Sequence, residues 1–122
     1  MNNFGIGVDI EDNSRFERVD LPDNERFINK IFTKNEIAYC YSKSNPAPYL
    51  TARFCGKEAV IKALNNAGLH GITYSDIDIL NDENGVPMVN INKKEFKNVK
   101  IKISLSHCHD KSLAFAVIFE DL

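Results

Sequence analysis

The sequence predicts an α+β fold, in which a largely antiparallel sheet packs on a long central helix. Helix signals dominate the first half of the chain, and strands joined by hairpin loops dominate the last fifty residues. The composition is 43% hydrophobic and 26% charged, which is ordinary for a globular protein. We therefore expect a single domain spanning residues 1–122.

The first predicted element is a strand over residues 4–10, FGIGVDI. Its apolar side chains recur at every second position and share one face, while Gly5, Gly7 and Asp9 share the other. Asp12, which follows the strand, is the first of three adjacent helix-capping candidates, so a short helix is expected there.

Three further helices are predicted from their capping signals. One follows Pro22, because proline suits the first turn of a helix. Thr33 and Glu36 have the spacing of a capping box, which predicts a helix ending near Ser42. The longest helix begins near Pro48 and runs to about residue 66, where glycines at 68 and 71 are stop signals.

Face by face, the long helix carries a large apolar arc, an arc of small residues and an arc of polar residues. The small arc predicts that another element approaches the helix closely. Gly56 on this arc costs roughly 1 kcal/mol relative to alanine, which suggests close backbone packing there.

The strands come late in the chain. Residues 77–80 and 87–91 flank a hairpin loop that contains Asn84 and Gly85, a pair that favours tight turns. Apolar residues alternate over residues 99–105, and residues 112–119 form a last, mostly apolar strand.

Charge and composition exclude several classes of function. The formal net charge is −2, which argues against broad electrostatic binding of nucleic acid. No apolar run is long enough to span a bilayer, and the N-terminal stretch lacks the features of a signal peptide. We expect a soluble, cytoplasmic protein whose three cysteines are reduced and form no disulfide framework.

Polar residues in otherwise buried segments are the first candidate site. Glu58 and Lys62 have the i, i+4 spacing of an ordinary solvated helix pair, and Lys57 could extend across apolar surface. The alternative is functional: Asp9 lies in the middle of a strand, where aspartate is disfavoured. Paired with Glu58, Asp9 could hold Mg²⁺, which takes few protein oxygens.

The stretch SLSHCHD, residues 104–110, is the second candidate. His107 and His109 flank Cys108, which suggests zinc, but no further ligand pair is nearby. A histidine beside serines at a strand end can equally bind phosphate. For His109 a plain turn residue is the preferred interpretation.

Four blocks together resemble the holo-acyl-carrier-protein synthases, the small bacterial 4'-phosphopantetheinyl transferases. They occur in the family's order and span nearly the whole chain. The blocks are GIGVDI at 5–10, ARFCGKEAVIKAL at 52–64, NDENGVP at 81–87 and SLSH at 104–107.

The resemblance implies transfer of the phosphopantetheine arm of coenzyme A to a serine of apo acyl carrier protein, in fatty acid biosynthesis. It implies that Asp9 and Glu58 bind Mg²⁺, that Glu58 takes the serine proton, and that Lys62 neutralises charge on the pyrophosphate.

The resemblance also implies a coenzyme A site. Lys57, Lys62 and His107 would bind its phosphates, with Arg53 and Ser106 as weaker candidates. The backbone around Asn84, Gly85 and Pro87 would hold the adenine end.

Members of the short form of this family are trimers with active sites between subunits, so a homotrimer is expected, with Lys57 at a subunit boundary. Arg15 occupies the position that contacts the acidic carrier protein. Two alternatives stay open. One is a non-catalytic relative that binds coenzyme A or a nucleotide; the other is a transferase for a specialised-pathway carrier.

Overall fold

The computed structural model describes residues 3–121, and the ends of the predicted domain, residues 1, 2 and 122, lie outside this range. Most of the chain forms regular structure. The helices and strands are, in chain order, β1 (Asn3–Asp12), α1 (Leu21–Ile31), α2 (Lys34–Tyr41), α3 (Ala47–Asn66), β2 (Ile77–Asn81), β3 (Pro87–Ile91), β4 (Val99–Cys108) and β5 (Lys111–Glu120).

The strands form antiparallel sheets, which confirms the predicted fold class. β5 lies in the centre of one sheet, between β1 and β4, and α3 packs across one face of it. β2 and β3 pair separately, so the sheet is divided rather than continuous. Among the helices described here, none is long and apolar enough to cross a membrane.

Local signals located most helix ends correctly. Pro22 lies in the first turn of α1. Thr33 and Glu36 make both hydrogen bonds of a capping box at the start of α2. α3 ends at Asn66, and Gly68 follows with a φ of +80°, a backbone conformation that suits glycine. The helix expected after Asp12 is only one 3₁₀ turn, over Asn13–Phe16.

The two faces of β1 have unexpected environments. Its apolar side chains are exposed, whereas Gly5 and Gly7 are buried beneath α3. A Cβ atom at Gly5 would overlap the carbonyl oxygen of Ala63, and one at Gly7 would overlap that of Ala59. The glycines therefore allow α3 to approach the strand, and the helix backbone fills the space that side chains would take.

Gly56 serves the same purpose on another side of α3. A Cβ atom there would lie 2.7 Å from Cδ1 of Ile79 on β2 and 3.0 Å from Cδ1 of Ile103 on β4. The predicted close approach at this glycine is confirmed. Small residues thus let α3 contact both sheets at once.

A fully buried ion pair joins α2 to α3. Nζ of Lys57 lies 2.7 Å from Oε1 of Glu36, and both side chains are 0% exposed. The ammonium also donates to the carbonyl oxygens of Tyr74, at 2.8 Å, and Ile77, at 2.5 Å. Oε2 of Glu36 accepts from the backbone N–H of Ile79 at 2.8 Å. The pair thus connects two helices with the segment that leads into β2.

This placement corrects the expected role of Lys57. The ammonium has no exposed surface and is occupied by a carboxylate and two carbonyl oxygens. It therefore lies in the core rather than at a subunit boundary, and it cannot reach a coenzyme A phosphate in this structure. Burial lowers the pKa of Lys57 and raises that of Glu36, against the attraction between them.

Replacing Gly7 by alanine is expected to destabilise the protein. The added methyl group has no room against the backbone of α3, and such overpacking costs about 1–3 kcal/mol of unfolding free energy. Urea denaturation at fixed protein concentration measures the loss. Ser104→Ala, at an exposed position on β4, is the control and should stay within about 0.5 kcal/mol of the parent. Equal stability of the two variants would contradict the close packing of β1 on α3.

Replacing Lys57 by methionine should lower the unfolding free energy by about 3–5 kcal/mol, because it leaves the buried Glu36 without its cation. Lys30→Met, on the exposed face of α1, is the matched control and should stay within about 0.5 kcal/mol. Urea denaturation curves of both variants measure the two unfolding free energies. A Lys57→Met protein as stable as the control would show that the pair is not buried as described.

Candidate active site

Asp9, Glu58 and Lys62 lie where β1 meets α3. Asp9 comes from the buried face of the strand, and the other two lie one turn apart on the helix. Nζ of Lys62 is 3.2 Å from Oδ1 of Asp9 and 3.1 Å from the carbonyl oxygen of Val8. The Lys62 side chain is 54% exposed, whereas that of Asp9 is 11% exposed. A cation thus stands at the open side of a largely buried carboxylate.

One oxygen of Asp9 has no partner. Oδ2 is buried and has no hydrogen-bond partner within residues 3–121 when the neighbouring Glu11 is ionised. Burying a carboxylate oxygen without a hydrogen bond or a cation is costly. A cation beside Asp9 would remove this cost.

Tyr74 holds Glu58. The Tyr74 hydroxyl donates a hydrogen bond of 2.6 Å to Oε1 of Glu58. This hydrogen bond, together with burial, raises the pKa of Tyr74 to about 12. The tyrosine is therefore the donor and the glutamate the acceptor near neutral pH. Sequence inspection missed Tyr74, because sixteen residues separate it from Glu58 and no local pattern joins them.

Glu11 is a second acid that sequence inspection missed. It lies two residues after Asp9, so both side chains are on the same face of β1. Burial and the nearby Asp9 raise the pKa of Glu11 to about 7. Nη1 of Arg15 lies 3.2 Å from Oε1 of Glu11, and its guanidinium lies 4.5 Å from the centre of the Phe54 ring. The period of the strand could have identified Glu11.

The donor set is suited to a hard cation such as Mg²⁺. It offers carboxylate oxygens and one orphaned buried oxygen, and Mg²⁺ typically binds one or two carboxylates and completes its shell with water and substrate phosphate. Among the described residues, no three side chains of the His, Cys, Asp or Glu type form a metal site by themselves.

A groove of about 730 Å³ brings together several of the predicted coenzyme A residues. Arg53, Gly85, Ser106 and His107 all line it. Arg53 is only 4% exposed, and its guanidinium lies 4.5 Å from the centre of the Tyr39 ring. Its Nε and Nη2 atoms are buried and find no acceptor within residues 3–121. An anion in the groove would supply the missing acceptor.

The hairpin loops at this groove have turn conformations. Gly85 has a φ of +79°, and the backbone N–H of Asn84 donates to Oδ1 of Asp82 at 2.8 Å. Pro87 is the first residue of β3. His109 has a φ of 45° in the β4–β5 turn, as a turn residue would.

The two groups of predicted residues lie on opposite sides of α3. At about 100° per residue, Arg53 and Lys62 are about 180° apart around the helix. The strands agree, because Asp9 lies on β1 and His107 on β4, the strands that flank β5. Within one chain, Asp9 and His107 are thus separated by the width of β5.

Sequence comparison identifies close relatives. The chain matches the 4'-phosphopantetheinyl transferase superfamily over residues 5–118. It is 45% identical over 117 residues to a holo-acyl-carrier-protein synthase of Protochlamydia amoebophila, covering 93% of this chain and 96% of that protein. It is 44% identical over 114 residues to the corresponding synthase of Thermodesulfovibrio yellowstonii, with the same shares covered.

Solved structures agree. The holo-acyl-carrier-protein synthase of Neisseria meningitidis matches with a TM-score of 0.78 and 29% identity, over 96% of this chain and 98% of that chain. The synthase of Helicobacter pylori, solved in complex with coenzyme A, matches with a TM-score of 0.77 and 25% identity, over 93% of this chain and 98% of that chain. Fold, sequence and the placement of the four motif blocks therefore lead to one conclusion: the chain belongs to the holo-acyl-carrier-protein synthases, within the 4'-phosphopantetheinyl transferase superfamily.

Proposed function

We propose that this chain carries out the reaction for which its relatives are named. It transfers the 4'-phosphopantetheine arm of coenzyme A to a serine hydroxyl of apo acyl carrier protein and releases adenosine 3',5'-bisphosphate. The observation that carries this proposal is the contact of Lys62 with Asp9 at 3.2 Å, with Glu58 one helical turn before Lys62 on α3. We expect the fatty-acid carrier to be the substrate, with a specialised-pathway carrier as the alternative.

The proposal includes Mg²⁺, held by Asp9 and Glu58. The orphaned Oδ2 of Asp9 supports this, because a cation there would satisfy an otherwise unpaired buried oxygen. Glu11 lies close enough to Asp9 for that carboxylate to raise its pKa. When bound, Mg²⁺ would neutralise charge on the pyrophosphate oxygens during transfer.

The protein side chains divide the remaining work. Glu58 accepts the proton of the attacking serine, directly or through a bound water, while Tyr74 keeps one of its oxygens hydrogen-bonded. The serine oxygen then forms a bond to the β-phosphorus of coenzyme A, and the bond to the leaving bisphosphate breaks. Lys62 stabilises the negative charge that develops on the leaving group.

Coenzyme A itself would occupy the groove at the other side of α3. The unpaired Nε and Nη2 atoms of Arg53 are donors for a phosphate, and His107 and Ser106 line the same space. Asn84, Gly85 and Pro87 remain the proposed contacts of the adenine end. Lys57 is not part of this site.

A homotrimer would unite the two groups of residues. The outer face of the β1–β5–β4 sheet is apolar and exposed, which is unusual for a surface in contact with water. We propose that a trimer packed through this face brings the carboxylates of one chain to the groove of its neighbour. The large apolar residues exposed on this face are Phe4, Ile6, Val8, Ile10, Leu113, Phe115 and Phe119.

Arg15 is the proposed contact for the carrier protein. Its side chain is 53% exposed, so it can reach an acidic partner while its guanidinium stays beside Glu11 and Phe54. Nη1 of Arg15 lies 3.2 Å from Oε1 of Glu11, and Glu11 follows Asp9 by two residues on the same face of β1. An acidic helix bound here would bring its serine towards Glu58.

Replacing Glu58 by glutamine tests the reaction. The amide cannot accept the serine proton and is a weaker ligand for Mg²⁺, so we expect turnover to fall by at least about 100-fold. Intact mass spectrometry of apo acyl carrier protein, incubated with coenzyme A and Mg²⁺, measures the gain of one phosphopantetheine arm. A chelator control should abolish the gain with the parent protein.

Glu95→Gln is the matched control, because this glutamate is exposed in the turn before β4. It should transfer at the parent rate. Near-normal turnover by Glu58→Gln would remove both proposed roles of this residue. No transfer by the parent protein, with several carriers tried, would favour a non-catalytic relative.

Mixing two inactive variants tests the shared site. Asp9→Asn damages the carboxylate side, and His107→Ala damages the groove, so neither should transfer well at low coenzyme A. If sites form between subunits, co-refolding equal amounts should leave roughly a quarter of the sites intact on both sides. Activity should then exceed the average of the separate variants. Activity equal to that average would place the whole site within one chain.

A further inference from the structure

The position of Glu58 depends on Tyr74, which no sequence motif includes. Tyr74 opens a single 3₁₀ turn, Tyr74–Asp76, just before β2. Its hydroxyl donates to Oε1 of Glu58 at 2.6 Å, a short hydrogen bond between residues on different elements. A glutamate on a helix surface otherwise has several accessible rotamers, and this bond selects among them.

Tyr74 is itself fixed from three sides. The buried ammonium of Lys57 donates to the Tyr74 carbonyl oxygen at 2.8 Å and so restrains the backbone at this residue. The Tyr74 ring lies 5.4 Å from the Phe54 ring, centre to centre. Thr73 and Asp76 cap the turn, with the N–H of Thr73 donating to Oδ2 of Asp76 at 2.9 Å.

The packing of the ring does not require the hydroxyl. A phenylalanine at position 74 would keep the contact with Phe54 and the backbone hydrogen bond from Lys57. Only the bond to Glu58 would be lost. The hydroxyl therefore acts on the carboxylate rather than on the fold.

We propose that Tyr74 is the positioning residue for Glu58: its hydroxyl holds Oε1 and leaves Oε2 for the metal and the serine proton. The inference rests on the proposed function of Glu58. The buried Lys57–Glu36 pair supports this arrangement, because the Lys57 ammonium is hydrogen-bonded to the backbone of Tyr74, which in turn holds the Glu58 carboxylate.

Tyr74→Phe tests the inference. We expect kcat and the affinity for Mg²⁺ to fall about 10-fold or more, the range seen when a partner of a metal-binding side chain is removed. The KM values for coenzyme A and carrier protein should stay within about twofold, because the substrates keep their own contacts. Calorimetric titration of Mg²⁺ into the protein with coenzyme A bound gives the affinity without reference to turnover.

Tyr41→Phe is the matched control. It removes a hydroxyl that donates to the carbonyl oxygen of Val19 at 2.9 Å, in a part of the molecule without predicted site residues. This variant should keep the parent kcat and Mg²⁺ affinity. Thermal unfolding of both variants shows whether any loss in Tyr74→Phe is a loss of folding.

A double variant separates positioning from general damage. In a Glu58→Ala background, Tyr74→Phe should lower Mg²⁺ affinity by less than about twofold, because the side chain on which the hydroxyl acts is gone. A folded Tyr74→Phe protein with parent kcat and parent Mg²⁺ affinity would overturn the inference. If the parent protein transfers nothing, the proposed function fails, while the Mg²⁺ titrations still test Tyr74.

Discussion

The close approach of α3 to β1 is the constraint on which the rest of the structure depends. Gly5 and Gly7 have no side chains, so the backbone of the helix lies against the strand itself. Asp9, two residues further along the same face, is thereby brought to Lys62. A strand with ordinary side chains would move the helix outward and separate the carboxylate from its partners. The spacing of two glycines and an aspartate thus defines both the packing and the chemistry.

The buried Lys57–Glu36 pair is a second constraint of a different kind. Burial shifts the pKa of each partner towards its neutral form, so the pair is costly to desolvate and is weak evidence for stability alone. The pair contributes through its geometry, because one ammonium joins α2, α3 and the segment that carries Tyr74. Through Tyr74 this arrangement extends to Glu58. A core interaction is thus linked, through one residue, to the carboxylate proposed to be catalytic.

The proposed assembly and the proposed reaction both involve α3. α3 presents Glu58 and Lys62 on one side and Arg53 on the opposite side, and the groove beside Arg53 contains unsatisfied donors. Each side has buried polar atoms that lack partners within the described residues: an oxygen of Asp9 on one and two nitrogens of Arg53 on the other. A cation would satisfy the first and an anion the second. A magnesium–coenzyme A complex shared between neighbouring subunits would supply both.

The sequence by itself determined the helices and strands and pointed to Asp9, Glu58 and Lys62, but not to Glu11 or Tyr74. Capping signals, glycine stops and alternation depend on local backbone preferences, so they located α2, α3 and the strands without tertiary information. Asp9 was identifiable because aspartate is disfavoured in the middle of a strand, whereas Glu58 and Lys62 also fit an ordinary solvated helix pair. The role of Lys57 could not be predicted, because a lysine on a helix is consistent with a solvated, a ligand-binding or a buried residue. Only its meeting with Glu36 in the core decides among them.

Tertiary structure alone decided which face of β1 is buried and which partners the polar residues have. Alternation separates two faces but does not say which one packs on the helix, and here the apolar face is the exposed one. The bond from Tyr74 to Glu58 links residues far apart in the chain, so no periodic pattern could reveal it. Contacts of this kind depend on how helices and strands pack against one another, whereas sequence patterns report the preferences of each element alone.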